Sequence, residues 1–297
     1  MAKVGIMHSG SPDTAQKYID ILTTRLQKDA KTPPTLNGPH WASQEGSLSG
    51  MAQRLIQNNV ELLIAAGGSR SADAAIQTRG TVNKPIIVFT SVAPYILDKL
   101  DKNITSGVCA HTSDHDVDRL DWLLKMPFKG RRIGVLRNSN RGDHKKQKDD
   151  LDQAMQDRKC TPVHRDINGP DTIKDIFDLF NKDIHGLLVA ADPFFNNDRK
   201  EVVKRTNADI YPAIYQWREF VELGGLMSYG PSLSKCYDQA GKMAADILNG
   251  ATHSPYQIWE PNDPGDFELV VSESRARRLD MWPLPPAVTD YPAEILP

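Results

Sequence analysis

Two serines stand at the predicted start of a helix, in a position where a ligand could be held. Ser69 and Ser71 follow the apolar run Leu62–Ala66 and the pair Gly67-Gly68. One interpretation is that these serines cap the helix, since serine is a preferred residue there. The other is that the backbone N–H groups, the hydroxyls and the helix dipole receive an anion such as a carboxylate. Both can hold together, because a cap uses only some of the donors.

Small hydroxyl residues follow two more apolar runs. Ser9, Gly10 and Ser11 come after the first run of the chain, where they allow close approach of the backbone to a ligand or, equally, form a tight loop. Thr90 and Ser91 follow the run Pro85–Phe89, where such residues form turns or bind a ligand.

The second half of the chain offers a carboxylate and an amide in comparable positions. Asp192 follows the apolar run Leu187–Ala191 and precedes a proline. An Asp-Pro turn is one interpretation, and a carboxylate that holds a ligand ammonium group is the other. Asn138 follows the run Arg132–Leu136, where an asparagine either forms a turn or faces a ligand.

Four aromatic residues are candidates for the walls of a pocket, because amphipathic rings combine an apolar body with a polar tip. Trp41 lies in a Pro/Gly/Ser-rich segment predicted as a loop from residue 31 to 49. It could form one wall, or pack on its own loop. Tyr215 and Trp217 could form the opposite wall. Tyr229 precedes Gly230-Pro231, which is typical of a hinge crossing, so hinge packing competes with a ligand contact there.

The stretch His111–Asp116 contains two imidazoles and two carboxylates. We interpret it as a helix start with acids in the first turn, because a metal site would need further ligands from elsewhere. The sequence contains no GxSxG, HExxH, phosphate-loop or GxGxxG motif. We therefore predict no metal site, no catalytic residue and no cofactor, and a protein that is not an enzyme.

Short apolar runs alternate with amphipathic segments along the chain, and the rhythm restarts near residues 106–112. This order predicts an α/β protein with two doubly wound parallel-sheet lobes joined by a multi-strand hinge. The N-terminal lobe is expected at 1–110 plus about 231–255, and the C-terminal lobe at 111–230 plus about 256–297. Ligands bind beyond the carboxyl ends of such strands, which predicts an interlobe cleft. The segment 283–297 is predicted to be irregular because of its prolines.

Composition excludes several other classes. The 297 residues are 39% apolar with a net charge of −2, which gives no drive toward nucleic acid. No apolar run approaches the roughly 20 residues that span a bilayer. Three separated cysteines allow one disulfide at most. The first residues contain no export signal, which indicates either a cytoplasmic protein or one whose signal was replaced by a start methionine.

Three sequence blocks carry a family resemblance: DPFF at Asp192–Phe195, PAIYQWREF at Pro212–Phe220 and GGLMSYG at Gly224–Gly230. They resemble the substrate-binding proteins of ABC transporters, in the branch that includes the tryptophan-binding lipoproteins, and weaker similarities cover most of the chain. The resemblance implies a type I periplasmic-binding fold, a hinged cleft, a small-molecule ligand, an ABC permease as partner and a periplasmic location. Arg70 departs from the family, which more often has small apolar residues there, so the charge or size of the ligand could differ.

The leading hypothesis is a receptor that captures an amino-acid-like molecule or an aromatic acid, as a monomer or a weak dimer. The resemblance implies that Ser91 binds the ligand carboxylate. The hypothesis adds Ser69 and Ser71 to that contact and assigns any ammonium group of the ligand to Asp192. A cytoplasmic ligand-sensing domain and an α/β enzyme are the alternatives. The residues expected to bind ligand are Ser9, Ser11, Trp41, Gly68, Ser69, Ser71, Thr90, Ser91, Asn138, Asp192, Tyr215, Trp217 and Tyr229.

Overall fold

The chain forms two compact units. Unit 1 comprises Met1–His111 and Ser232–Asp266, and unit 2 comprises Thr112–Pro231 and Phe267–Pro297. Residues 257–266 group with unit 1, although the sequence places them in the C-terminal lobe, because the strand Ile258–Trp259 pairs with a strand of unit 1. The structure is a computed structural model, and it describes residues 1–80, 85–101, 105–112, 114–127, 130–140, 144–167, 173–180, 184–209, 211–250 and 257–297.

The strands and helices alternate along most of the chain. The strands are β1 (Lys3–His8), β2 (Thr35–Trp41), β3 (Leu62–Ala66), β4 (Ile86–Val92), β5 (Thr105–Cys109), β6 (Arg132–Asn138), β7 (Thr161–Ile167), β8 (Gly186–Val189), β9 (Ala213–Tyr215), β10 (Met227–Pro231), β11 (Ile258–Trp259), β12 (Phe267–Ser272) and β13 (Glu294–Leu296). The α-helices are α1 (Pro12–Asp29), α2 (Ala42–Glu45), α3 (Leu48–Gln57), α4 (Ser69–Arg79), α5 (Asp116–Leu124), α6 (His144–Asp157), α7 (Ile173–Asp178), α8 (Pro193–Asn197), α9 (Arg199–Ala208), α10 (Arg218–Glu222), α11 (Leu233–Leu248), α12 (Glu273–Arg278) and α13 (Pro286–Thr289).

The sheet of unit 1 has the strand order β11-β5-β4-β3-β1-β2, and neighbouring strands are parallel throughout. The central strand β3 is buried along its whole length, as its uninterrupted apolar run predicts. Because the strands run the same way, the residues that follow β1, β3 and β4 meet at one edge of the sheet, which we call the carboxyl edge of unit 1.

The sheet of unit 2 has the order β13-β12-β10-β9-β8-β6-β7, and only β10 and β12 pair antiparallel. The expected doubly wound architecture is confirmed in both units, with this one reversed strand pair. The residues that follow β6, β8 and β9 meet at the carboxyl edge of unit 2. Each unit has its own apolar core.

Helix α11 enters unit 1 from the second crossing of the chain and packs on α1. The two helices approach closely at Gly241, where an added Cβ would lie 2.5 Å from the carbonyl oxygen of Leu22. An ion pair between Arg25 and Asp238 lies along the same contact, at 3.2 Å. This packing fixes α11 beside the sheet and carries Tyr237 to the carboxyl edge of unit 1.

Two strands lie where the sequence predicts irregular structure. Strand β2 lies within the segment predicted as a loop, and β13 lies within the proline-rich end of the chain. Both are edge strands of their sheets. An edge strand tolerates proline and needs little apolar alternation, so its sequence carries a weak signal.

Every helix among the described residues is too short or too polar to span a bilayer.

Candidate ligand-binding edges of the two units

A buried imidazole lies at the center of the carboxyl edge of unit 1. His8 is the last residue of β1, and its Nδ1 accepts a hydrogen bond from the N–H of Gly10 at 2.8 Å. The ring proton of the neutral imidazole therefore lies on Nε2, which donates to Oη of Tyr237 at 3.0 Å. Burial lowers the pKa of His8 to about 4, so the ring is neutral at pH 7.

Gly67 connects three parts of this edge. Its N–H donates to Oγ1 of Thr90 and to Oη of Tyr237, both at 3.1 Å. Its carbonyl oxygen accepts from the Ser9 hydroxyl at 2.7 Å. Glycine is required here, because φ is +88° and an added Cβ would lie 2.5 Å from the Ser9 Oγ. Ser9 and Thr90 therefore hold the loop after β3 in place.

The two serines after Gly68 have different surroundings. Gly68 is the N-cap residue of α4, with φ +89°, and no side chain caps this helix. The capping interpretation of Ser69 and Ser71 is thus not what the structure shows. Ser69 instead accepts a hydrogen bond from the N–H of Ala93 at 2.9 Å. The Ser71 Oγ is fully buried and has no hydrogen-bond partner among the described residues.

Three further expected residues lie along this edge. Trp41 ends β2 and is buried, with its ring centroid 4.8 Å from that of His8, so it does not lie in a loop. Ser91 adopts the left-handed conformation, with φ +45°. Ser11 is the N-cap residue of α1, and its hydroxyl lies 3.2 Å from that of Thr14. Hydroxyl, imidazole and indole groups therefore lie together at the carboxyl edge of unit 1.

The two polar residues expected in unit 2 are in direct contact. Asp192 is the N-cap residue of α8, and its Oδ1 accepts from the N–H of Phe194 at 2.8 Å. The same oxygen accepts from Nδ2 of Asn138 at 3.0 Å, while Oδ1 of Asn138 accepts from the N–H of Asn140. Asp192 is 5% exposed. At the Asp-Pro sequence interpreted as a turn, Asp192 therefore caps a helix, and the amide of Asn138 orients its carboxylate.

The aromatic residues expected in unit 2 take mainly packing roles. Tyr215 is fully buried, its hydroxyl lies 2.6 Å from that of Thr206, and burial raises its pKa. Its ring stacks on Phe220 with a centroid separation of 4.7 Å. These contacts assign Tyr215 to the interior of unit 2 rather than to a pocket wall. Trp217 is also buried, at the start of α10.

Tyr229 of β10 belongs to an aromatic cluster of unit 2. Its ring stacks on Phe267 at 5.8 Å and lies 5.7 Å from Trp122 and 6.5 Å from Tyr291. Burial raises the pKa of Tyr229 to about 12. The contacts match the packing interpretation of this residue.

A buried ion pair that the sequence does not reveal lies beside Asp192. Asp116 accepts from Arg119 at 2.7 Å, from Gln147 at 2.7 Å and from the N–H of Ala191 at 3.1 Å. Arg119 has no exposed surface, and it also donates to the carbonyl oxygen of Tyr229 at 3.0 Å.

Helix α5 begins at Asp116, within the stretch that the sequence analysis interprets as a helix start. Its N-cap residue is His115, and no side chain caps the helix, although Asp116 and Asp118 occupy the first turn as expected. Ser113, part of the same prediction, lies outside the described residues.

Sequence reasoning also missed His8 and Tyr237. The only signal for His8 is a polar residue at the end of an apolar strand, and none marks Tyr237, which lies 229 positions away. None of the three cysteines, Cys109, Cys160 and Cys236, forms a disulfide bond in the described structure.

Two such α/β units, between which the chain crosses three times, have the architecture of the type I periplasmic-binding fold. A family model described as ABC transporter substrate binding protein matches residues 38–295. The chain therefore belongs to the ABC transporter substrate-binding protein family. No curated protein matches the sequence.

Solved structures support the fold. A conserved domain protein from Vibrio cholerae is similar with a TM-score of 0.79 and 16% identity, over 99% of each chain. The ligand-free substrate-binding protein CD0873 from Clostridium difficile has a TM-score of 0.71 and 20% identity, over 100% of this chain and 99% of its own. An ABC domain from Streptococcus pneumoniae in complex with L-Trp has a TM-score of 0.71 and 16% identity, over 99% of this chain and 100% of its own.

Proposed function

We propose that this protein is the receptor of an ABC importer and that it captures an amino-acid-like molecule or a small aromatic acid outside the cytoplasmic membrane. The family supports the general role, and the L-Trp bound to a structural neighbor supports the ligand class. A membrane permease is then the partner that accepts the ligand. No step of this function needs catalysis, so the ligand should be recovered unchanged after incubation with the protein, as mass spectrometry would test.

The observation that carries the proposal is the unpartnered hydroxyl of Ser71. A buried polar group without a hydrogen bond is costly, and native proteins rarely retain one without a reason. Ser71 lies in the first turn of α4, an 11-residue helix whose N-terminal N–H groups no side chain caps. A carboxylate bound there would accept from the hydroxyl and complement the helix dipole. Ser91, at the end of the neighboring strand, completes the proposed carboxylate site.

Asp192 is the proposed site for an ammonium group. Its Oδ1 is held by Asn138 and by the N-terminus of α8, so the carboxylate is fixed in orientation before any ligand binds. Charge-assisted hydrogen bonds from an ammonium group to such a carboxylate are strong. An α-amino acid carries a carboxylate that would complement Ser71 and Ser91 and an ammonium group that would complement Asp192.

Calorimetric titration with a panel of amino acids and aromatic acids tests this proposal. Ser71→Ala should weaken binding of the best ligand by about 10- to 100-fold, since a hydrogen bond to a charged group contributes roughly 1.5–3 kcal/mol. Ser47→Ala is the matched control in the same unit, because Ser47 caps α3 away from the proposed site. Equal affinities of the wild type and Ser71→Ala would contradict the carboxylate site.

A second variant separates charge from shape at Asp192. Asp192→Asn keeps an oxygen that can accept from Phe194 and removes the negative charge. It should weaken binding of an amino acid by about tenfold or more and leave binding of the corresponding acid without an ammonium group nearly unchanged. If both ligands are affected equally, Asp192 acts through the loop and does not bind the ammonium group.

A further inference from the structure

Three side chains that could bind a metal ion lie close together in unit 1. None of them is proposed to contact the transported molecule. Cys109, His111 and Glu260 each offer one donor atom, and these three atoms lie within 4.8 Å of one another. Cys109 is the last residue of β5, and His111 follows two positions later. Glu260 follows β11 directly, and β11 pairs parallel with β5 through Trp259 and Val108. The same register, continued by one residue, brings Glu260 beside Cys109.

The donors differ in their exposure. The Cys109 thiol is free and fully buried. The His111 side chain is 27% exposed and that of Glu260 is 47% exposed, and their Nε2 and Oε1 atoms lie 2.8 Å apart. The cluster therefore has a buried sulfur on one side and a solvent-accessible imidazole–carboxylate pair on the other, so an ion could reach it from solvent.

We propose that Cys109, His111 and Glu260 bind a zinc ion, with a water molecule as the fourth ligand. Thiolate, imidazole and carboxylate are the usual protein ligands of zinc, whereas Ca²⁺ and Mg²⁺ take oxygen donors. Ligand atoms on a tetrahedral zinc ion lie about 3.4 Å apart. The imidazole and carboxylate atoms must therefore separate by about 0.6 Å, and the more distant donors must approach by up to about 1.4 Å. On binding, the Cys109 thiol loses its proton to solvent. The Nε2 proton of His111 also leaves that nitrogen for solvent, and the metal replaces the hydrogen bond between His111 and Glu260.

Unit 1 contains a second histidine–glutamate pair, similar to His111 and Glu260 in distance and exposure, which serves as a control. Nδ1 of His40 lies 2.7 Å from Oε1 of Glu45, and these side chains are 28% and 31% exposed. In the described part of the chain, this pair has no third cysteine, histidine or acidic ligand at metal-binding distance. Comparison of the two pairs isolates the contribution of Cys109.

The test is titration of the reduced, chelator-treated and tag-free protein with Co²⁺, followed by competition with Zn²⁺. We expect one ion per chain, with the near-ultraviolet absorption that a thiolate–cobalt bond produces. Cys109→Ser should abolish this absorption. Glu260→Gln should weaken binding by about tenfold or more and retain the absorption, since changes even outside the ligand set cost 10- to 100-fold. His40→Ala and Cys160→Ser should behave as the wild type does.

Three results would overturn the zinc site. The first is the absence of thiolate–cobalt absorption in the wild-type protein. The second is unchanged affinity in Glu260→Gln, a partly exposed position where the substitution leaves the core intact, so this arm holds even if Cys109→Ser does not fold. The third is an equal loss of binding in His40→Ala. None of these variants alters a residue proposed to bind the transported ligand, so the zinc site and the receptor function fail or succeed separately.

Discussion

The carboxyl edges of the two units are built from different kinds of polar side chain. The edge of unit 1 uses neutral groups: the His8 imidazole, the Tyr237 hydroxyl and the serine and threonine hydroxyls around Gly67. The edge of unit 2 uses charges, which are the Asp116–Arg119 ion pair and the Asp192 carboxylate.

The two edges also differ in how their polar side chains are already hydrogen-bonded. In unit 2, Asp116 and Arg119 are bonded to each other and to backbone groups, and Oδ1 of Asp192 accepts two hydrogen bonds. Buried hydroxyls without a partner in the described structure occur in both units, at Ser71 in unit 1 and at Ser228 in unit 2. What favors Ser71 for the proposed anion contact is its place in the first turn of α4, whereas the Asp192 carboxylate is positioned by its own neighbors.

The largest expected effect comes from breaking the ion pair of unit 2. Arg119→Met should lower the free energy of unfolding by about 3–5 kcal/mol, because it leaves the buried Asp116 charge without its partner. Urea unfolding monitored by circular dichroism measures this change. Lys146→Ala is the control, since its pair with Asp150 is exposed and should contribute roughly 0.5 kcal/mol or less. Similar losses in both variants would remove the contrast between buried and surface charge.

A smaller effect is expected from the neutral imidazole of unit 1. The pKa of His8 is about 4 in the folded protein and near 6.5 when unfolded, so the unfolded state binds more protons between these values. Stability from this residue is thus fully present above pH 6.5 and is lost as pH falls toward 4. Between pH 7.5 and pH 5 the loss should be about 2 kcal/mol.

His8→Asn tests this dependence on pH. The variant keeps an acceptor for the Gly10 N–H and removes the titrating ring. The free energy of unfolding, measured at pH 7.5 and at pH 5, should fall by about 2 kcal/mol less in the variant than in the wild type. An identical fall in both proteins would show that His8 is not held neutral by burial.

The smallest effect distinguishes the two serines of α4. Ser69→Ala should cost about 1 kcal/mol of stability, because it leaves the Ala93 N–H without its acceptor. Ser71→Ala should change stability little or increase it slightly, because the hydroxyl that it removes has no partner. Thermal unfolding without ligand measures both. A larger cost for Ser71→Ala would mean that its hydroxyl is bonded within the free protein.

The sequence predicted best those strands that are buried on both faces of a sheet. The apolar run predicted β3 at Leu62–Ala66, and the structure has the same bounds. Strand β2 was missed because it lies at an edge and includes Gly38 and Pro39, which interrupt any alternation. Buried central strands need apolar side chains, whereas edge strands do not, so the signal weakens toward the margins of each sheet.

The sequence predicted which loops contribute residues to the candidate site, but not which side chains contact one another there. Parallel strands place the residues that follow them at one edge of their own sheet. This rule predicted Ser71 at the edge of unit 1 and Asp192 at the edge of unit 2. The partner of His8 could not be found this way, because Tyr237 comes from a helix 229 positions later that packs beside the sheet. Tyr215 was assigned to a pocket wall because its type suits one, but its hydroxyl lies against Thr206 in the interior.

The proposed contact between Ser71 and a ligand carboxylate can be tested by a crystal structure with the tightest-binding ligand of the calorimetric panel. The proposal predicts that an oxygen of the ligand's carboxylate lies within hydrogen-bond distance of the Ser71 Oγ. A ligand bound with its carboxylate elsewhere, while Ser71 stays without a partner, would contradict it.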